Sequence, residues 1–253
     1  KSMREFLSSE KYLGNNILEI SYGDNGVKAK DIFKGLISAF NNISSYILSL
    51  KPEYEGSREF YPRKLSDVIK NKSIHLSSID ANGGIGASQN NNINKEYQLD
   101  LSSIEWYAYT DNYGTSEEKL FIKHFERTIR PKLEAKGLKF FLIRNERVPE
   151  LAIYSFKDGE RFEPDFLLFV EKTNVDNKAN YQAYIEPKGA QLLDNYEQTW
   201  KEAFLLEIAE KHQVKNPIIT ANNDYFILGL PFYNEEVRKG DFDKAVNEWI
   251  ESI

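Results

Sequence analysis

The sequence predicts an α/β fold, a mixed β-sheet flanked by helices over residues 111–253, with an N-terminal α+β extension over residues 1–110. Three features carry that expectation. "DNYGTSEEKLFIKHFERTIRPKLEAKG" (111–137) opens on a Thr/Ser cap with early glutamates and stops at Gly137, the start and stop signals of a helix. Short apolar runs then follow one another, with "NYEQTWKEAFLLEIAEKHQ" (195–213) and "DFDKAVNEWIES" (241–252) set among them as amphipathic helices. Residues 1–110 lack this regular alternation.

In chain order, "KAKDIFKGLISAFNNISSYILSLK" (28–51) places Ile32, Leu36, Ile37, Phe40, Ile43, Ile47 and Leu48 at helical spacing, so it reads as a helix packing on something. "YEGSREFYPRKLSDVIKNKSIHL" (54–76) holds a small basic cluster, Arg63, Lys64, Lys70 and Lys72, which reads first as a solvated face and second as a phosphate-contacting patch. "DANGGIGASQNNNINKE" (80–96) reads as a flexible loop; without a following GK[ST] it is not a phosphate-cradling one. In the helix over 111–137, Leu120, Phe121, Phe125, Ile129 and Leu133 form the apolar stripe, and Pro131 predicts a kink. Strands are expected at 138–145, 150–156, 161–170, 181–189, 216–220 and 224–234, with a turn at "KDG" (157–159). In the helix over 195–213, Trp200, Phe204, Leu205 and Ile208 should face inward.

Composition removes several classes of chemistry. With 41% hydrophobic and 28% charged residues and no run near 18 apolar residues, neither a membrane span nor a membrane partner is expected. There is no cysteine, which excludes disulfides, thiolate zinc sites and cysteine nucleophiles, and suits a reducing cytoplasm, the expected location. His75, His124 and His212 lie far apart and form no HExxH spacing; His124 reads as a half-buried surface histidine. A net charge of −6 makes any nucleic-acid contact local rather than global. No Walker A sequence and no GxSxG elbow occurs, so neither an NTPase nor a serine hydrolase is expected of this chain. The chain starts at Lys1 rather than Met and reads as a piece of a longer protein.

The chemistry concentrates in "RFEPDFLLFV" (161–170) and "YQAYIEPKG" (181–189). Charges at the ends of apolar strands are tolerated only if they pair, bind something or lie at an open edge. Glu186 and Lys188 are two apart and share a face of an extended strand, and Asp165 can lie beside Glu186 if the two runs pair. Two close carboxylates repel; a raised pKa or a hard divalent cation relieves them. Magnesium bound by two carboxylates polarises a phosphate and activates water, and a neighbouring lysine stabilises the charge that builds on the phosphoryl group. Glu-x-Lys occurs three times, at 117–119, 134–136 and 186–188, but only the last lies in a strand-like run. An ordinary ion-pair cluster at a sheet edge is the alternative reading of the trio.

"FEPDF…YIEPKG" resembles the PD-(D/E)xK nuclease signature. With "NYGTSEEKLFIKHF", "FLIRNE" and "WKEAFLLEI" it is similar to the C-terminal endonuclease domain of type III restriction enzyme Res subunits and related DEAD/DEAH helicase–nucleases; "YEGSREFYPRKLSDVIKNK" resembles their motor-to-nuclease segment more weakly. The resemblance implies a restriction-endonuclease-like core over 111–253, a connector over 1–110 and hydrolysis of double-stranded DNA with Mg2+, for which Mn2+ substitutes. It also implies an ATP-dependent translocase elsewhere in the full-length chain and a methyltransferase subunit that reads the DNA sequence. Carried over, Asp165 and Glu186 are metal ligands, the Pro187 carbonyl contacts the metal, Lys188 is the catalytic lysine, and Glu118 (or Glu117) is the helix glutamate facing the site. Lys201, Arg144 and Gln191 are candidate DNA contacts, while Trp200 reads first as core. The rival expectation is a catalytically inactive, nuclease-like module of a helicase that binds DNA or a partner subunit.

Overall fold

The computed structural model describes residues 26, 28–49, 56–61, 63–69, 79–173, 178–193, 195–211, 213–214 and 223–253. The strand expected at 216–220 lies outside these residues, as do His75, His212, Lys70 and Lys72. The chain divides into two units, Lys1–Glu53 and Tyr54–Ile253. In the first, helix α1 (Ala29–Ser49) forms where helical spacing predicts it. Of the stripe, Leu36 is half-buried and Ile32, Ile37, Phe40 and Ile43 are exposed.

The second unit runs β1 (Glu59–Phe60), α2 (Leu65–Val68), α3 (Ser116–His124), a π-helical turn (Phe125–Ile129), α4 (Arg130–Ala135), β2 (Lys139–Arg144), a 3-10 turn (Pro149–Leu151), β3 (Ile153–Tyr154), β4 (Arg161–Phe162), β5 (Phe166–Thr173), β6 (Lys178–Ile185), α5 (Ala190–Leu193), α6 (Tyr196–Lys211), β7 (Gln213–Val214), β8 (Asn223–Gly229) and α7 (Lys239–Ser252). The central sheet has the order β2-β5-β6-β8. Its first two pairings are antiparallel and β6–β8 is parallel, so the sheet is mixed and helices cover both faces.

Alternation along β5 and β6 sorts the two faces. Phe166, Leu168, Val170, Ala183 and Ile185 point into one core with Phe121, Phe125, Leu133 and Phe242 from α3–α4 and α7. Leu167 and Tyr184 point the other way, into a second core with Phe204, Leu205 and Ile208 of α6.

Proline sets three of the element boundaries. Pro131 has no N–H to give to the turn before it, and the α-helix is interrupted there by a π turn at Phe125–Ile129. Pro164 splits the run expected at 161–170 into β4 and β5, and Pro187 stops β6 at Ile185. Gly137, at φ 67, ends α4 as its sequence position predicts.

The loop expected over 80–96 and the residues after it are anchored. Leu101, Trp106 and Tyr107 are buried in the first core, and Tyr107 bridges to Leu142 of β2. Lys119 explains the anchoring. It stands in the apolar stripe beside half-buried Leu120, is wholly buried, and donates to the carbonyls of Gly84 (2.9 Å) and Gly114. Gln89 donates to the Lys119 carbonyl (2.9 Å) and accepts from Asn112 (2.8 Å). Residues 80–112 therefore share a core with the sheet across the boundary expected at 110/111.

Candidate functional site

Antiparallel pairing brings Phe166 opposite Ile185, so the next pair outward is Asp165 opposite Glu186. The Asp165 N–H donates to Glu186 Oε2 at 2.9 Å. Lys188 Nζ lies 2.6 Å from Glu186 Oε1. All three sit on the strand face that carries Leu167 and Tyr184. The two prolines produce this site. Each stops its strand one step from the pair, which leaves carboxylates at strand ends rather than inside the ladder.

The electrostatics are those of crowded acids. Glu186 is 3% exposed. Burial, then the charges of Glu186 and Glu118, holds the Asp165 carboxyl well above the usual carboxylate range. Burial also raises Glu186, opposed by Lys188 and by the Asp165 N–H. Among the described residues no hydrogen bond or ion pair reaches the Asp165 side-chain oxygens.

Pro187 forms an isolated parallel bridge to Tyr233. Tyr233 N–H donates to the Glu186 carbonyl (3.1 Å) and Lys188 N–H donates to the Tyr233 carbonyl (2.8 Å). The Pro187 carbonyl is left out of this pairing and accepts no hydrogen bond among the described residues, although Pro187 is buried.

Among the described residues no group of three or more His, Cys, Asp or Glu is placed to hold a metal ion. The set expected here is smaller, two carboxylates and one carbonyl. Its chemistry fits magnesium, which takes hard oxygen ligands and retains several waters. The unbonded Asp165 carboxylate and Pro187 carbonyl are the donors such an ion would use.

The helix glutamate lies on the other sheet face. Thr115 caps α3 by accepting from the Glu118 N–H at 3.3 Å, and Glu118 is buried. Its carboxylate takes a hydrogen bond from Arg144 Nε, and Arg144 also bonds Glu146. Arg144 is thus held by two carboxylates, which is not the arrangement of a free phosphate contact. Gly114 permits the pairing, since a Cβ there would meet the Glu118 carboxylate and Arg144 Nε. Glu117, the alternative, is half-buried and bonded to Ser116.

Lys201 on α6 lies close enough for the charges of Lys188, Glu186 and Asp165 to act on it, and burial lowers its pKa first. It bonds Gln198 at 2.9 Å and lies 5.5 Å over the Phe162 ring. Gln191 is exposed, its amide folded back over Gly189. Trp200 is half-buried, edge-on to Phe162 at 6.1 Å. His124 is wholly buried rather than a surface residue, 2.6 Å from Asp243 and stacked 5.1 Å from Tyr233. The signal for Lys119 was present, a lysine beside the apolar stripe, but its carbonyl partners come from a distant loop.

Comparison with known proteins adds the following. A family model described as HI_1054_C, C-terminal domain, matches residues 53–249. An uncharacterized protein of Haemophilus influenzae is 27% identical over 219 residues, covering 84% of this chain. The chain spans 43% of that relative's length. No solved structure matches.

Proposed function

We propose that this chain, which belongs to the HI_1054_C C-terminal domain family, is a magnesium-dependent endodeoxyribonuclease domain of the PD-(D/E)xK class. The observation that carries the reading is Asp165 opposite Glu186 at paired strand ends, with Lys188 on the Glu186 carboxylate. Asp165, Glu186 and the Pro187 carbonyl would hold the ion, which when bound polarises the scissile phosphate. Mn2+ substitutes for Mg2+ in this reading.

Lys188 orients Glu186 and supplies positive charge where the phosphoryl group gains negative charge. Lys201, on the same side, draws the phosphate backbone toward the strand ends, and Gln191 lies exposed beside it. Glu118 and Arg144 act behind the site. Their pair fixes the first turn of α3 against β2, and the Glu118 charge adds to the burial and the Glu186 charge that raise the Asp165 carboxyl.

The motif strings support a more specific placement, the nuclease end of a type III Res-like protein that acts on double-stranded DNA in the cytoplasm. In that placement an ATP-dependent translocase belongs to the same full-length chain and a Mod-type methyltransferase subunit chooses the sequence. Among the described residues no helix is long and apolar enough to cross a membrane.

The test is plasmid nicking with Mg2+ or Mn2+, beside calorimetric titration of Mn2+. Nicking should require the metal and fall at least about 100-fold in Asp165→Ala and in Lys188→Ala. Mn2+ binding should disappear in Asp165→Ala. Mn2+ binding without nicking would select a nuclease that needs its motor. Absence of both would select the inactive DNA- or partner-binding module.

A further inference from the structure

We propose that a cavity on the carboxylate-bearing face of the sheet is a nucleobase subsite, receiving one unstacked base of the strand presented to Asp165 and Glu186. The identity of the strand rests on the nuclease reading; the chemistry of the cavity does not.

The cavity encloses about 930 Å3, at the upper end of the roughly 300–1,000 Å3 usual for small-molecule sites. Its walls include Phe60, Tyr61, Tyr154, Phe169, Tyr184 and Tyr225. Tyr154 is 51% exposed, so its ring faces solvent at the cavity. Planar heterocycles stack on such rings whatever the base.

The floor is polar and already organised. Tyr225 OH donates to Gln182 Oε1 at 2.6 Å, and Gln182 Nε2 donates to Tyr184 OH at 2.9 Å. These bonds use one lone pair and one N–H of the amide. Another lone pair and another N–H remain, a donor beside an acceptor, which is what the hydrogen-bonding edge of a base requires. A purely apolar ligand would leave both unmet at the cost of a buried polar group.

Charge at the rim points the same way. Glu59 and Glu150 line the cavity, which favours a neutral ring bearing amino groups over an anion within it. Arg63 lines it too, is exposed, and makes no ion pair among the described residues, leaving a cation for the phosphate outside.

Position links the cavity to the carboxylates. Gln182, Tyr184 and Glu186 alternate along one face of β6 and its extension, as Phe169, Leu167 and Asp165 do along β5. Gln182 is four residues from Glu186, roughly 13 Å along an extended chain. One strand can therefore span both places, with a base turned out of its stack into the cavity.

The experiment is calorimetric titration of the whole chain with each of the four deoxynucleoside 5′-monophosphates and with deoxyribose 5-phosphate, in EDTA. At least one nucleotide should saturate the chain, and the base-free sugar phosphate should not. Tyr154→Ala, a change at a half-exposed ring that spares the fold, should weaken binding roughly tenfold. Gln182→Leu should weaken it as well. The inference is overturned if no nucleotide saturates, if the sugar phosphate binds equally, or if both cavity variants bind like wild type. Because this binding is read without divalent metal, it stands or falls apart from plasmid nicking.

Discussion

Lys119 and Lys188 are both withdrawn from water, and their surroundings are opposite. Lys119 donates to two backbone carbonyls inside a network closed by Gln89 and Asn112. Burial brings its pKa down to about 8, and an amine that loses its charge still has two N–H groups for two carbonyls. Lys188 meets a carboxylate that is itself crowded by another acid with no hydrogen-bond or ion-pair partner among the described residues. A satisfied polar cluster rigidifies a fold, whereas one left short of a cation marks a place where something binds. The contrast gives Lys119 a structural place and, in the proposed reading, leaves Lys188 to the site.

The sharpest way to break it is Lys119→Met. Two buried carbonyls would lose their donor, and the chain should lose about 3 kcal/mol in urea unfolding, with the 80–112 loop becoming protease-sensitive. A variant as stable as wild type would remove the structural role.

Metal should act only at the other lysine. Mn2+ at 100 times its dissociation constant should stabilise wild type by about 2.7 kcal/mol in thermal unfolding and leave Asp165→Asn unmoved. Equal shifts in both proteins would place the ion elsewhere.

Gly114→Ala should cost about 2 kcal/mol, because the added methyl meets the Glu118–Arg144 pair. Chemical denaturation reads it, and nicking should fall with it if that pair sets the acid site.

Smallest is Asp165→Asn at neutral pH, a gain of about 1 kcal/mol, the usual size for a single substitution but of unusual sign. The folded Asp165 carboxyl titrates above its ordinary 3.8, so the folded state holds its proton longer. Below that value both states are protonated and nothing is lost. As pH rises through it and on through the folded pKa, wild type loses stability. The asparagine variant should lack that slope in denaturation curves taken across the acid range.

Much of the sheet face was readable because its signal is local. Alternation in "FLLFV" and "YQAYI" gives two-sided burial, and Glu186 and Lys188 two apart share a face whatever the rest of the chain does. Pro187 stops the strand expected to run to 189 for a reason equally local: a missing N–H needs no context. The anchoring of the loop over 80–96 is not legible, because Gly and Asn report turn chemistry and say nothing about what anchors the turns. The burial of His124 is not legible either, because its partners, Asp243 and Tyr233, are more than a hundred positions away.

By itself the sequence determined which residues could meet across a strand pair, and that Glu186 and Lys188 share a strand face. Tertiary structure alone decided that Arg144 serves Glu118 and Glu146, that Lys119 holds a distant loop, and that an aromatic cavity opens on the sheet face that carries the acids. The reason is range. Strand period and proline chemistry act over a few residues, while burial and charge pairing depend on neighbours that only the packed chain supplies.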